Sequence, residues 1–185
     1  MTKARLILAI TLMTLVMLGL AGCSPPTTPE TSPDSEIVPI GVGPQVGKSA
    51  PDFKLTDAEG NSTSLSNLRG KSIILNFWET WCGPCKYEMP LLQDLAFDKE
   101  KAEHGLIVLT VNMGESAETV QRFMKERGFS FPVLLDIQKS VARYYNVRYI
   151  PTTFFIGKDG IISYIRVGAF MNKDQLEQIL NTFIK

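Results

Sequence analysis

The chain has one histidine and three cysteines in 185 residues, and its nineteen basic and nineteen acidic side chains cancel to a formal net charge of zero. Each shortage excludes something. A structural zinc site takes four ligands, usually two pairs of cysteines or of cysteine and histidine. Beyond Cys82 and Cys85 the chain offers only Cys23, far toward the N-terminus, and His104, read as a solvated residue of the EHG turn ahead of a strand. No metal is therefore expected. Zero net charge leaves no bulk field to draw the protein to nucleic acid. No internal repeat is visible, and a chain of this length, 44% hydrophobic, can bury one good core with little room for a second.

Charge is also missing locally. After Lys3 and Arg5 the run from Leu6 to Gly22 carries none, which is the pattern of a positive n-region and an apolar h-region that direct export. We assign residues 1–22 to a signal segment, with an uncleaved anchor as the alternative. Leu20, Ala21, Gly22 and Cys23 resemble the lipobox of bacterial lipoproteins. That resemblance implies that Cys23 carries lipid and becomes the mature N-terminus. Each buried CH2 adds about 0.8 kcal/mol, so several acyl chains tether firmly where one binds marginally. Residues 23–45 are rich in Pro, Ser and Thr, with few large apolar side chains before Ile37. Such a stretch cannot offset its ordering entropy by burial and reads as a semi-rigid spacer. The remaining domain is expected over residues 46–185.

The domain opens with FKLTDAEGNSTSL, a loose alternation around the turn signal Asp57 to Gly60, as in a small hairpin. SIILNF, from Ser72 to Phe77, is a nearly continuous apolar run, expected for a strand covered on both faces. Met89, Leu92, Leu95 and Ala96 recur at helical spacing, with Lys99 and Glu100 placed on other faces of the same helix. LIVLTVN is a second buried strand, and Ser116 to Arg127 a helix stopped by Gly128. A short strand around Pro132 to Leu135 and a short helix from Val141 to Tyr145 follow. TTFFIG and IISYIRVG flank an Asp-Gly turn and read as an antiparallel hairpin, and Leu176, Ile179, Leu180 and Phe183 form a closing helix. This order predicts an α/β domain: a mixed β-sheet with helices on both faces, an added N-terminal β-hairpin, and its active loop at a strand's carboxyl end.

Two of the cysteines lie in FWETWCGPCKYEMP, directly after that first buried strand. As a staple the pair would do little, because disulfide stabilisation grows with the loop closed. A redox role remains. At a helix start Cys82 lies near unpaired backbone N–H groups and the positive end of the dipole, which favour its thiolate and make it the attacking sulfur. Cys85, one turn on, faces the same way and can resolve a mixed disulfide. Pro84 suits the first helical turn, and Gly83 lets another backbone come close.

WCGPC after a strand resembles thioredoxin, and the longer match, APDFKLTDAEGNSTSLSNLRGKSIILNFWETWCGPCKYEMP, resembles the extracytoplasmic, membrane-tethered thioredoxins of the TlpA/ResA type. The resemblance implies the thioredoxin fold and thiol-disulfide exchange by a redox-active Cys82–Cys85 disulfide with no other cofactor. It implies as partners disulfide-containing exported proteins such as apocytochrome c and a membrane electron donor. Pro90 falls where the family kinks the active-site helix, and Pro151 of IPTTF where it has a cis-proline facing the cysteines. Asn76 stands where thioredoxin usually has a buried aspartate that moves protons for the second cysteine, and it cannot titrate. Glu88, in CxxCxxE, matches the group's functional glutamate; a partly buried carboxylate there would raise the thiol pKa values and relay a proton. The alternative for Glu88 is an exposed first-turn residue favoured by the dipole.

Trp81 is read as a shield for the nucleophile and a flat contact for a partner chain, and Trp78 as packing beneath the loop; plain core packing is the alternative for both. Glu79 and Thr80 are read as solvated loop residues without a role. Gly83 and Pro84 put no positive charge between the cysteines, which points to a reductant. A monomer on the extracytoplasmic membrane face is expected. Two other functions stay open. Peroxiredoxins share the opening APDF motif, but Glu79 stands where they place a threonine; the second alternative is a non-catalytic tethered binding module.

Overall fold

Seven strands and five α-helices follow one another over residues 41–183, the part that the structure, a computed structural model, describes. The expected signal segment, Cys23 and the spacer up to residue 40 lie outside the described residues. Strand β1 (Lys54–Asp57) and strand β2 (Ser62–Ser64) form the N-terminal hairpin, and a single 3-10 turn (Leu65–Leu68) leads to β3 (Ser72–Trp78). Helix α1 (Gly83–Ala96) and the short α2 (Lys99–Glu103) precede β4 (Leu106–Met113); α3 (Ala117–Arg127) leads to β5 (Val133–Asp136) and α4 (Ser140–Tyr144). The chain closes with the hairpin β6 (Thr152–Ile156) and β7 (Ile162–Val167) and with α5 (Lys173–Phe183).

The strands form one sheet in the order β2-β1-β5-β4-β3-β6-β7. β3 is parallel to β4 and antiparallel to β6, so the sheet is mixed, as expected. All seven residues of β3 are buried, and its branched Ile73 and Ile74 suit a pleated strand packed on both sides. Alternation along β3 then sorts the core. Ile73, Leu75 and Phe77 point to the face covered by α4 and by the segment containing Ala50 and Phe53. Ile74 and Trp78 point to the other face, where α1, α3 and α5 supply Leu95, Val120 and Leu180.

The first face is aromatic. The Tyr145 ring lies 4.9 Å from Phe154 and 5.4 Å from Phe77, centroid to centroid. Its buried hydroxyl donates to the Pro51 carbonyl oxygen at 2.7 Å, and burial pushes the phenol well above its ordinary pKa, so it stays a donor. At the edge, Ser49 pairs with Val42 and Ile161, so residues 41–49 join the domain by backbone hydrogen bonds.

One helix boundary differs from expectation. Lys99 and Glu100 do not continue α1, because Asp98 turns its carboxylate onto the Lys101 N–H at 3.1 Å and starts α2 instead. A side chain that caps so well competes with helix continuation. Among the described residues no helix is long and apolar enough to cross a membrane.

Phe154 joins the sheet centre to the Tyr145 cluster, so Phe154→Ala is expected to lower unfolding free energy by about 3–5 kcal/mol, read from the urea midpoint. A loss below about 1 kcal/mol would place the core's main contacts elsewhere.

Candidate active site

β3 delivers the chain to the site. It ends at Trp78, and α1 begins at Gly83 with Cys82 as its N-cap. The Cys82 Sγ accepts the Cys85 N–H at 3.1 Å, and Pro84, at the helix's second residue, forgoes an N–H that would have had no partner. Cys82 and Cys85 are joined as a disulfide with Cα atoms 5.3 Å apart, both almost fully buried. Gly83 is exposed, and a Cβ built on it would meet nothing, so internal packing does not demand glycine there. Pro90 lies within α1, and the Ile150–Pro151 bond is cis. Ile150 packs against the cluster that contains both cysteines.

Glu88 sits in the second turn of α1, three residues beyond Cys85 and on its side of the helix. It is 1% exposed, so the exposed first-turn reading is overturned. One carboxylate oxygen accepts from Asn76 Nδ2 at 2.8 Å, and the other from the Phe170 N–H at 3.0 Å. Asn76 Nδ2 also donates to Thr153 Oγ1 at 2.9 Å. Burial pushes the Glu88 pKa up to about 7, against the pull of those donors and of the Arg166 charge. Asn76 and Glu88, singled out separately in the sequence, are therefore one unit.

The tryptophans part company. Trp78 is buried beneath the loop, its ring 5.6 Å from Phe123. Trp81 is 67% exposed, so it stands beside the pair as a projecting surface rather than as part of the core.

The reading of Glu79 and Thr80 as solvated loop residues is corrected. Glu79 is buried, accepts from Lys139 Nζ at 2.6 Å, and its carbonyl accepts the Cys82 N–H at 3.2 Å. The Glu115 carboxylate accepts from Thr80 N at 2.7 Å, Thr80 Oγ1 at 2.6 Å and Asn112 Nδ2 at 2.7 Å. Lys139 holds a left-handed backbone (φ 55°) at the start of α4, and its stem lies across Gly114, where a Cβ would collide with it. Glu115 and Lys139 escaped the sequence reading because they are 35 and 60 residues from their partners. The one available signal was Asn112, a polar residue at the end of the otherwise apolar LIVLTVN.

A sequence profile of the AhpC/TSA family matches residues 46–165. The thiol-disulfide oxidoreductase ResA of Geobacillus kaustophilus is 43% identical over 137 residues, covering 74% of this chain and 77% of the relative. Two solved structures share the fold. A thiol:disulfide interchange protein of the thioredoxin family from Chlorobium tepidum aligns with a TM-score of 0.64 and 29% identity, over 74% of this chain and 96% of that one. The exposed lipoprotein thioredoxin of Streptococcus pneumoniae aligns with a TM-score of 0.59 and 32% identity, over 71% and 99%.

The raised Glu88 pKa has a measurable sign. The folded, oxidised protein holds this proton more tightly than the unfolded chain, whose glutamate titrates near 4.5. The extra stability is complete below that value and is lost as pH rises through about 7. A fall of up to about 3 kcal/mol across the window is expected from urea titrations. Glu88→Gln should flatten it; an unchanged slope would assign it to other groups.

Proposed function

We propose, for a chain that belongs to the AhpC/TSA family and is a thiol-disulfide oxidoreductase of the TlpA/ResA type, that Cys82 and Cys85 are the redox centre and that it reduces disulfides in exported proteins such as apocytochrome c. The observation that carries the reading is the Cys82–Cys85 disulfide capping α1, with a buried, near-neutral carboxyl on the same helix.

In the dithiol form, the Cys82 thiolate attacks one sulfur of a client disulfide. The client's second sulfur leaves as a thiolate and takes up a proton, and Cys82 is held in a mixed disulfide. Cys85 then gives up its proton, attacks the Cys82 sulfur and expels the client's first sulfur as a thiolate. Two electrons have passed to the client, and the Cys82–Cys85 disulfide remains. Glu88 is the group we assign to hold the Cys85 proton and hand it on, because its pKa near 7 lets it give and take at neutral pH. Asn76 and the Phe170 N–H keep that carboxyl in place.

The direction follows from charge. No cation lies between the cysteines, and an ionised Glu88 raises the cost of a neighbouring thiolate, which favours a reductant. Each turnover then needs two electrons from a partner dithiol, for which a membrane donor is the proposed source. The segment of residues 1–22, Cys23 and the spacer support a lipid-tethered, extracytoplasmic site of action. The lipoprotein thioredoxin among the structural relatives is consistent with that placement. A threonine at position 79, as in peroxiredoxins, is absent; Glu79 is engaged by Lys139 instead.

Three variants test the reading in an insulin-reduction assay. Cys82→Ser should abolish turnover, and Cys85→Ser should accumulate a mixed disulfide that mass spectrometry detects on Cys82. Glu88→Gln should lower kcat/KM about 100-fold and erase its inflection near pH 7. Full activity in Cys82→Ser would end the proposal, as would peroxide consumption that needs no dithiol.

A further inference from the structure

Beside the redox pair the surface opens into a groove of about 250 Å³. Its apolar wall is formed by Trp81, Val147 and Ile150, and its charged wall by Lys139, Arg143 and Arg148. Two of these residues tie it to the chemistry. Trp81 immediately precedes Cys82, and Ile150 packs against the cluster that contains both cysteines and forms the cis bond to Pro151. A polypeptide whose disulfide meets Cys82 can therefore lay neighbouring residues along this groove.

Three cations line the groove against one carboxylate, Glu79, which is 4% exposed and already held by Lys139. Arg143 Nη1 donates to the Gln138 carbonyl oxygen at 2.8 Å, and Arg148 Nε to Asn146 Oδ1 at 3.2 Å. Those acceptors are neutral, so they fix the two side chains without cancelling their charge. Both arginines are exposed, and among the described residues neither pairs with a carboxylate. Glu115 keeps its charge, since its donors Thr80 and Asn112 are neutral, but it does not line the groove. On a chain of zero net charge this is a local positive field beside the attacking sulfur.

We propose that this groove is a client-recognition subsite for acidic side chains, so that disulfides flanked within a few residues by Asp or Glu are the preferred polypeptide substrates. The inference rests on the reductase reading above and adds a charge rule to it. A guanidinium presents a planar fork that matches a carboxylate in two parallel hydrogen bonds. Trp81 and Val147 offer the apolar surface on which the rest of the segment can lie.

The test uses the full chain, reduced beforehand, and two disulfide-bonded peptides that differ only in carrying Glu or Lys at the residues flanking one cysteine. Second-order rates of peptide reduction are each divided by the rate with dithiothreitol, which removes the effect of the flanking charge on the disulfide itself. The corrected Glu-to-Lys ratio should be about 10 at low salt and shrink toward 1 near 1 M salt. In Arg143→Glu/Arg148→Glu it should fall to 1 or invert, and in Arg143→Lys/Arg148→Lys it should stay above 1, which separates charge from folding. A ratio of 1 in the unaltered chain, or a preference that survives charge reversal, overturns the inference while leaving the reductase reading intact. Failure to reduce either peptide overturns both.

Discussion

The buried carboxylate of Glu88 constrains everything around the Cys82–Cys85 pair. An ionisable group removed from water must find hydrogen-bond donors or hold its proton, and here it does some of both. Its donors come from the central strand β3, through Asn76, and from the segment after β7, through the Phe170 N–H. Asn76 then reaches on to Thr153 in β6. Strand β3, helix α1 and the closing hairpin are thus fixed relative to one another by the same few polar atoms that surround the cysteine helix. Were any of them to shift, a carboxyl would be left without partners in a site that water does not reach.

The other side of the active loop is held by charge instead. Glu115 receives the Thr80 N–H and hydroxyl, and Glu79 receives the Lys139 ammonium. Trp81 follows these two anchored residues, free to project because its neighbours are not. A rigid base with one exposed aromatic suits exchange chemistry, where the sulfur must keep its geometry while different chains come and go. The groove beside it supplies the positive charge that the chain as a whole lacks.

Much of this was legible before the structure. The apolar run SIILNF had one reading, and Gly128 and the Asp-Gly turn mark real ends of elements. Local chemistry sufficed there, because each signal and its consequence lie within a few residues. Asp98 was missed because its cap competes with a helix whose periodicity runs straight past it. Glu79 was misread for a different reason. A carboxylate after a strand looks solvated until Lys139, sixty residues away, is brought against it. Asn76 and Glu88 were recognised as residues, but their bond to each other depends on the crossing of β3 and α1, which no linear spacing reveals.

Lys139 shows what that long-range contact demands of the backbone. A residue other than glycine in the left-handed region gives up about 1 kcal/mol, and glycine would occupy the position at ease. Glycine would relieve that strain, but it would also leave the Glu79 carboxylate buried without its cation, which costs more than the strain it removes. The same change would take one cation from the groove. The lysine therefore makes this corner of the molecule a place where robustness and performance are coupled, the awkward backbone being kept by the pair it makes possible.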